Sequence, residues 1–396
     1  MAFVGVTSSG EPIAYRDGKR LLYIGSVLVT GVPLVAIGLF DATGGALWTT
    51  LIPFLFVFGV VPAVDAWLGE DFNNPPPEVV AAMDADPYYR RIAFATVPLY
   101  WLGFVATVAF VGTHALPWWS WILLAIGAGT GAAGCLALGH ELGHKADRTA
   151  KVLAFLSNAV VGYGHFRIEH NRGHHTWVAT PEDPASARMG ESIYRFARRE
   201  LPGAFLRGWR NEAERLAKQG EGPWSIENEI LQGYALTLAV AAVLIWAFGW
   251  IVAPFIVVHH FLGWYGLTQA NYVEHYGLLR QRLPNGRYEP CEPRHSWNTN
   301  HIFSNILTFH LQRHSDHHAN PMRPYQSLRD FKDLPRLPSG YPGMFALAAV
   351  PPLWFRVMDP KVLEWAGGDL SKINCDPRLR AWLERAQEKE TDAACA

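Results

Sequence analysis

The sequence predicts an all-α integral membrane protein: six transmembrane helices carrying a cytoplasmic helical cap that holds a histidine-rich dinuclear metal site. Three observations carry this reading. Apolar residues make up 50% of the 396-residue chain and charged ones only 17%, against about 25% charged in an average soluble domain. The apolar residues collect into charge-poor runs long enough to cross a bilayer. Sixteen His stand beside only four Cys, and most of the His fall in short clusters. Basic and acidic residues nearly cancel, at 34 and 35, so neither a disordered polyelectrolyte nor a nucleic-acid binder is indicated.

Taken in order, residues 21–40 carry no charge, about the length needed to cross the hydrocarbon core. Residues 46–66 give a second span, with Asp65 near its end, and 92–111 and 117–138 a third and fourth. The stretch 230–270 lacks any Asp, Glu, Lys or Arg. It is too long for one span and divides near Gly249 and Trp250 into 230–248 and 251–270. The first twenty residues lack the basic, apolar and cleavage regions of a signal peptide.

The basic residues orient this set. Arg16, Lys19 and Arg20 precede the first span, Arg90 and Arg91 the third; Lys145 follows the fourth, and Arg280 and Arg282 the sixth. The loops 41–45, 112–116 and 248–251 contain no Lys or Arg. The positive-inside rule then places both termini in the cytoplasm, with a cap built from 139–229 and 271–386. The whole chain, 1–396, is expected to be one membrane-embedded catalytic domain with a frayed tail at 387–396. Within the cap, 180–186 reads as a turn region, 195–217 as an amphipathic helix and 332–343 as a loop. The apolar segment 343–357, broken by Pro351 and Pro352, reads as interfacial or packed rather than as a seventh span.

Four groups of His stand out: His140 and His144; His170, His174 and His175; His275; and His314, His317 and His318. Residues three and four apart share one helix face, so each group can aim its imidazoles at one place. Nine nitrogens exceed what one ion can use, and two ions sharing them is the natural count. The fourth and sixth spans would act as stalks that hold His140, His144 and His275 near the bilayer surface. Glu141, Glu169, Glu274 and Asp316 are cast as residues that orient imidazoles through the second ring nitrogen. His310, one turn before His314, could also face the cluster. Of the remaining His, His165, His295 and His301 are read as structural or ligand-orienting, His259 and His260, inside the sixth span, as either functional or packing, and His114 lies in an opposite-side loop.

His140-Glu141-Leu142-Gly143-His144 also spells HExxH, so a membrane zinc protease with Glu141 as general base is a competing reading. It leaves six His unexplained. A metal transporter would place its His inside the spans, where these nine are not. The cysteines, Cys135, Cys291, Cys375 and Cys395, form no CxxC pair, so neither a rubredoxin-like iron site nor a disulfide framework is encoded.

Taken together, HELGHK at 140–145, EHNRGHH at 169–175, NYVEHYGL at 271–278 and LQRHSDHHA at 311–319 resemble the membrane alkane 1-monooxygenases, the alkane omega-hydroxylases. The His boxes alone would indicate only the wider superfamily of membrane fatty-acid desaturases and hydroxylases; the NYVEHYG and LQRHSDHH wording narrows it. The resemblance runs from the first span to about Leu328 and includes Asp65, Gly69, Asp71, Asn74 and Pro75.

The resemblance implies a multi-pass enzyme of the bacterial inner membrane with two non-haem Fe ions, held by His140, His144, His170, His174, His175, His275, His314, His317 and His318. It implies hydroxylation of the terminal methyl of a medium-chain n-alkane to a 1-alkanol, with O2 as co-substrate and no haem or flavin. Electrons would come from a separate rubredoxin, reduced by an NADH-dependent rubredoxin reductase. An alkane offers no polar handle, so a narrow apolar channel between spans is expected, with Leu55, Phe56 and Trp264 as candidate lining. A related acyl-chain desaturase or hydroxylase, or an aromatic-methyl monooxygenase, is the alternative within the superfamily.

Overall fold

The computed structural model describes residues 2–385. The expected tail at 387–396, with Cys395, lies outside the described residues. A short antiparallel hairpin, β1 (Phe3–Val6) and β2 (Pro12–Tyr15), opens the chain and pairs Phe3 with Tyr15; it was not expected from the sequence. After it the described residues are mostly helical.

Five helices are long and apolar enough to cross a membrane: α1 (Ile24–Ala42), α2 (Leu47–Leu68), α4 (Pro87–Thr113), α5 (Trp118–Gly143) and α9 (Glu229–Phe248). Between them lie α3 (Pro77–Asp84), α6 (Arg148–Ala159), α7 (166–177) and α8 (Ile193–Ala217). The apolar stretch 230–270 divides where the sequence suggested. Gly249 adopts φ 81° there, a conformation open to glycine at no steric cost, and α10 (Val252–His275) follows. Six comparable spans were expected, and five meet the hydropathy of a span. The second half of α10 carries Gln269, Asn271 and Glu274, and the helix runs on without a break to His275.

Large apolar side chains on these helices face outwards: Leu28 and Leu238 are both 69% exposed, and Val257 68%. Water would disfavour so much exposed apolar surface, whereas lipid accepts it. Trp67, Trp118, Trp246 and Trp250 are exposed at helix ends, the positions of an interfacial aromatic belt.

Helix α5 is the central element. In its most apolar stretch 61% of residues are buried, against 17% to 44% in the other four spans. Its glycines permit this. A Cβ on Gly129 would come 2.9 Å from Leu262 Cβ, and one on Gly266 would come 2.5 Å from Ala133 Cβ, so α5 and α10 meet almost backbone to backbone. Helix α2 changes helix type near its prolines. Pro62 cannot donate to the carbonyl four residues earlier and its ring crowds that carbonyl, and the turn ahead of it, Phe56–Val60, widens into a π-helix.

Polar caps fix where the helices begin. Asp86 accepts from Tyr88 N and pairs with Arg20 at 2.6 Å, so α4 starts before Arg90 and Arg91 rather than after them. Asn228 is fully buried, and its Oδ1 accepts from the backbone N–H of Ile230 and Leu231. Asn228→Ala is expected to cost about 1–2 kcal/mol, read as a lowered unfolding midpoint in detergent. An unchanged midpoint would remove the cap from the account of α9.

The C-terminal part closes over the end of α10 through α11 (Ile302–Leu307), α12 (His314–Ala319), α13 (Tyr341–Ala348) and α14 (Pro351–Trp365). The segment 343–357 is packed. Trp354 is fully buried, with its ring 4.9 Å from Tyr272 and 5.2 Å from Tyr276.

Candidate metal centre

His140 and His144 occupy the last turn of α5 and its C-cap, with ring centroids 5.1 Å apart. Every residue from Cys135 to His144 in this stretch is buried. His170, His174 and His175 lie in α7, which is α-helical only at its ends. His170–His174 forms a π-helical turn. On an ideal α-helix His170 and His175 would point about 140° apart. The wider turn brings their Nε2 atoms to 3.0 Å. α-Helical spacing alone would not have found this pair.

The nine His form two groups. The ligand atoms of His140, His144, His170, His175 and His317 all lie within 4.8 Å of one another, and so do those of His174, His275, His314 and His318. Neither the second nor the last His cluster stays together. His174 leaves its neighbours for the second group, and His317 leaves His314 and His318 for the first. The groups are adjacent: the rings of His175 and His318 are 4.5 Å apart.

Several contacts suit a cation between the rings. Nε2 approaches Nε2 at 3.1 Å between His317 and His175 and at 2.9 Å between His318 and His314. Nε2 of His140, His144, His174 and His275 is buried with no hydrogen-bond partner. Leaving so many polar atoms unpaired is costly, and converging imidazole lone pairs are a metal ligand set. The residues present therefore fit two transition-metal ions.

The electrostatics agree. Burial first, and the neighbouring imidazoles second, hold His170, His175, His314, His317 and His318 well below the ordinary histidine range. They stay neutral, the form that binds metal. His174 is the exception. Burial would lower it, but Asp183 outweighs burial and raises it.

Asp183 is the residue that sequence reasoning missed. Its Oδ2 lies 2.9 Å from His174 Nδ1 and accepts from Ser186 Oγ, while Oδ1 accepts from Arg207 Nη2 at 2.8 Å. Arg207 also donates through Nε to Glu169 Oε1 at 2.9 Å. A carboxylate on the far nitrogen fixes which tautomer the ring presents. The sequence marked 180–186 only as a turn, and nothing local signals that it folds back onto His174.

The acids named from sequence have different partners. Glu274 Oε2 lies 3.2 Å from His314 Nε2, and its Oε1 accepts from the Tyr341 hydroxyl at 2.5 Å. Glu169 reaches the site only through Arg207. Asp316 faces away from the imidazoles, paired with Arg323 and bonded to Asn320. His310 hydrogen-bonds Tyr23 rather than joining either group. Glu141 pairs with Lys145 at 2.9 Å and accepts from Tyr325 N, so it is not the free base that a protease would need beside His140 and His144.

An apolar cavity of about 130 Å³ lies near the centre, its wall including Phe56, Val57, Tyr100, Ala137, Leu311 and Tyr341. Ala137 lies one turn before His140, and Leu311 three residues before His314. Val29, Phe56, Val57, Tyr100 and Gly131 also line a smaller cavity of about 50 Å³ bounded by Phe104 and His259. Of the three lining residues expected from sequence, Phe56 lies on this wall. Leu55 is 53% exposed on the outer face of α2. Trp264 donates to Val161 O at 2.6 Å and is on neither wall.

Apolar spanning helices with two adjacent groups of imidazoles gathered beside the ends of α5 and α10 define a multi-pass membrane metalloprotein built on histidine boxes. Residues 114–348 match the fatty acid desaturase family. Among curated proteins, the chain is 49% identical to alkane 1-monooxygenase 1 of Alcanivorax borkumensis, over 96% of this chain and 93% of that protein. It is 51% identical to alkane 1-monooxygenase of Ectopseudomonas oleovorans, over 92% and 91%. More distantly, it is 28% identical to the xylene/toluene monooxygenase hydroxylase component of Pseudomonas putida, over 58% and 61%. The chain belongs to the alkane 1-monooxygenase family.

Proposed function

We propose that this chain is a non-haem di-iron monooxygenase that converts medium-chain n-alkanes to 1-alkanols, with O2 and electrons delivered by rubredoxin. The observation that carries the proposal is two imidazole groups close to an apolar cavity whose wall includes Ala137, one turn before His140, and Leu311, three residues before His314, in a chain about half identical to proteins named alkane 1-monooxygenase. Iron, once bound, supplies the oxidising power for inserting one oxygen atom of O2 into a C–H bond.

The chain's own residues do the rest. His140, His144, His170, His175 and His317 hold one ion, and His174, His275, His314 and His318 the other. Asp183 keeps the His174 ring in one tautomer. The cavity wall excludes water and gives an unfunctionalised chain nothing to bind except shape, so only the chain end reaches the imidazoles. Helix α10 serves as a sixth span, the termini and the cap face the cytoplasm, the membrane is the bacterial inner membrane, and 1–396 works as one catalytic domain. The electron donor is a separate rubredoxin, reduced by an NADH-dependent reductase.

Metal analysis of the purified protein is expected to give about two Fe per chain, and octane with rubredoxin, reductase and NADH to give 1-octanol. One stoichiometric Zn would overturn the di-iron reading. Turnover of xylene or of an acyl chain with no turnover of octane would move the substrate to those of the more distant relatives.

A further inference from the structure

The apolar cavity has one polar residue at its metal-side end whose position is fixed from several directions. Tyr341 lines the cavity and is 2% exposed. Its backbone N–H donates to Gln312 Oε1 at 3.1 Å. The residue before it, Gly340, lies so close to Asp65 Oδ2 and Ser304 Oγ that a Cβ there would collide with both. Its hydroxyl donates to Glu274 Oε1 at 2.5 Å, and the other oxygen of Glu274 lies 3.2 Å from His314 Nε2. The ring is thus held between the cavity and the second imidazole group.

Two other hydroxyls on this wall also donate, but neither to a carboxylate. Thr308 Oγ1 donates to the Ser304 carbonyl, and Ser304 Oγ to Gln312 Oε1. A phenol that donates to a carboxylate keeps its lone pairs as acceptors. An alkane has no group that can use them; a primary alcohol has one O–H that can. We propose that the Tyr341 hydroxyl, backed by Glu274, is the hydrogen-bond acceptor for the newly formed hydroxyl, making a subsite for product that the substrate cannot use. The inference rests on the alkane-hydroxylase reading above.

Its consequence is a difference in affinity. Octane and 1-octanol share the apolar wall, but only the alcohol gains the hydrogen bond, and 1-fluorooctane, similar in size, cannot donate one. The experiment is displacement of labelled octane from the metal-loaded protein without an electron donor, using 1-octanol and 1-fluorooctane on wild type and Tyr341→Phe. Wild type is expected to bind 1-octanol more tightly than 1-fluorooctane by about two- to tenfold. Tyr341→Phe should close that gap, with octane affinity and metal content per chain unchanged.

A gap that survives in Tyr341→Phe overturns the inference, as does a wild type that does not distinguish the two ligands, which needs no variant. Loss of metal from Tyr341→Phe also overturns it, since Tyr341 would then act only by holding Glu274 against His314. A wild type that binds neither octane nor 1-octanol overturns the alkane reading itself, and the inference with it.

Discussion

His314→Ala is expected to abolish hydroxylation and to lower the bound metal from about two ions per chain towards one, while the protein still inserts into the membrane. His314 belongs to the four-residue group, with Nε2 2.9 Å from His318 Nε2 and 3.2 Å from Glu274 Oε2. Removing it leaves three imidazoles for that ion and a buried Glu274 carboxylate without its neighbour. The five-residue group around His140 loses none of its members, so its ion should stay. His314 is buried but comes from the short helix α12, outside the close contacts at Gly129 and Gly266 that pack α5 against α10, and so the fold should survive. The check is metal content and turnover measured on the same preparation. Retained turnover would remove His314 from the ligands, and loss of both ions would show that the groups do not fill independently.

The second large effect is expected at Asp183, which touches no proposed ion. Asp183→Ala leaves Arg207 facing only Glu169 and strips the His174 ring of its partner, all in a buried setting. Breaking a buried charge network by removing one member costs about 3–5 kcal/mol. Asp183→Asn keeps the shape and separates the two roles. The amide removes the charge facing Arg207 and can offer an N–H where His174 needs an acceptor. Metal affinity is then expected to fall about 10- to 100-fold, with a smaller loss of stability than for alanine.

The sign of the pH effect follows from the same contacts. Burial would raise the Asp183 carboxyl, but His174 and Arg207 outweigh burial and hold it far below the ordinary carboxylate range. Its contribution to stability is therefore complete above about pH 4 and is lost only as the pH falls further into acid. Equal metal affinity in wild type and Asp183→Asn would reduce Asp183 to a structural ion pair.

Much of the architecture was legible because a membrane span is a property of local composition. The run 46–66 became Leu47–Leu68, and 230–248 became Glu229–Phe248. The third span was read too short, from 92, because Arg90 and Arg91 end its apolar run. The helix itself extends back to the Asp86 cap, where backbone hydrogen bonding rather than hydropathy sets the boundary. The N-terminal hairpin escaped notice because four-residue strands carry little periodicity. Within the site, the identities of the nine His were readable from their clustering, but their division between two groups was not. That division depends on the π-turn at His170–His174 and on α12 presenting His317 on one side and His314 and His318 on the other.

The sequence by itself determined that this is a helical membrane chain with nine clustered imidazoles outside its spans and no paired cysteines among its described residues. Hydropathy and residue type act locally, and a single chain displays them. The tertiary structure alone decided the partners: Asp183 on His174, Tyr341 on Glu274, and a cavity wall that passes Phe56 but leaves Leu55 and Trp264 outside it. Those relations join residues 9 to 67 positions apart, or different helices altogether, and they arise only when α5 and α10 pack closely enough for their ends to share one site.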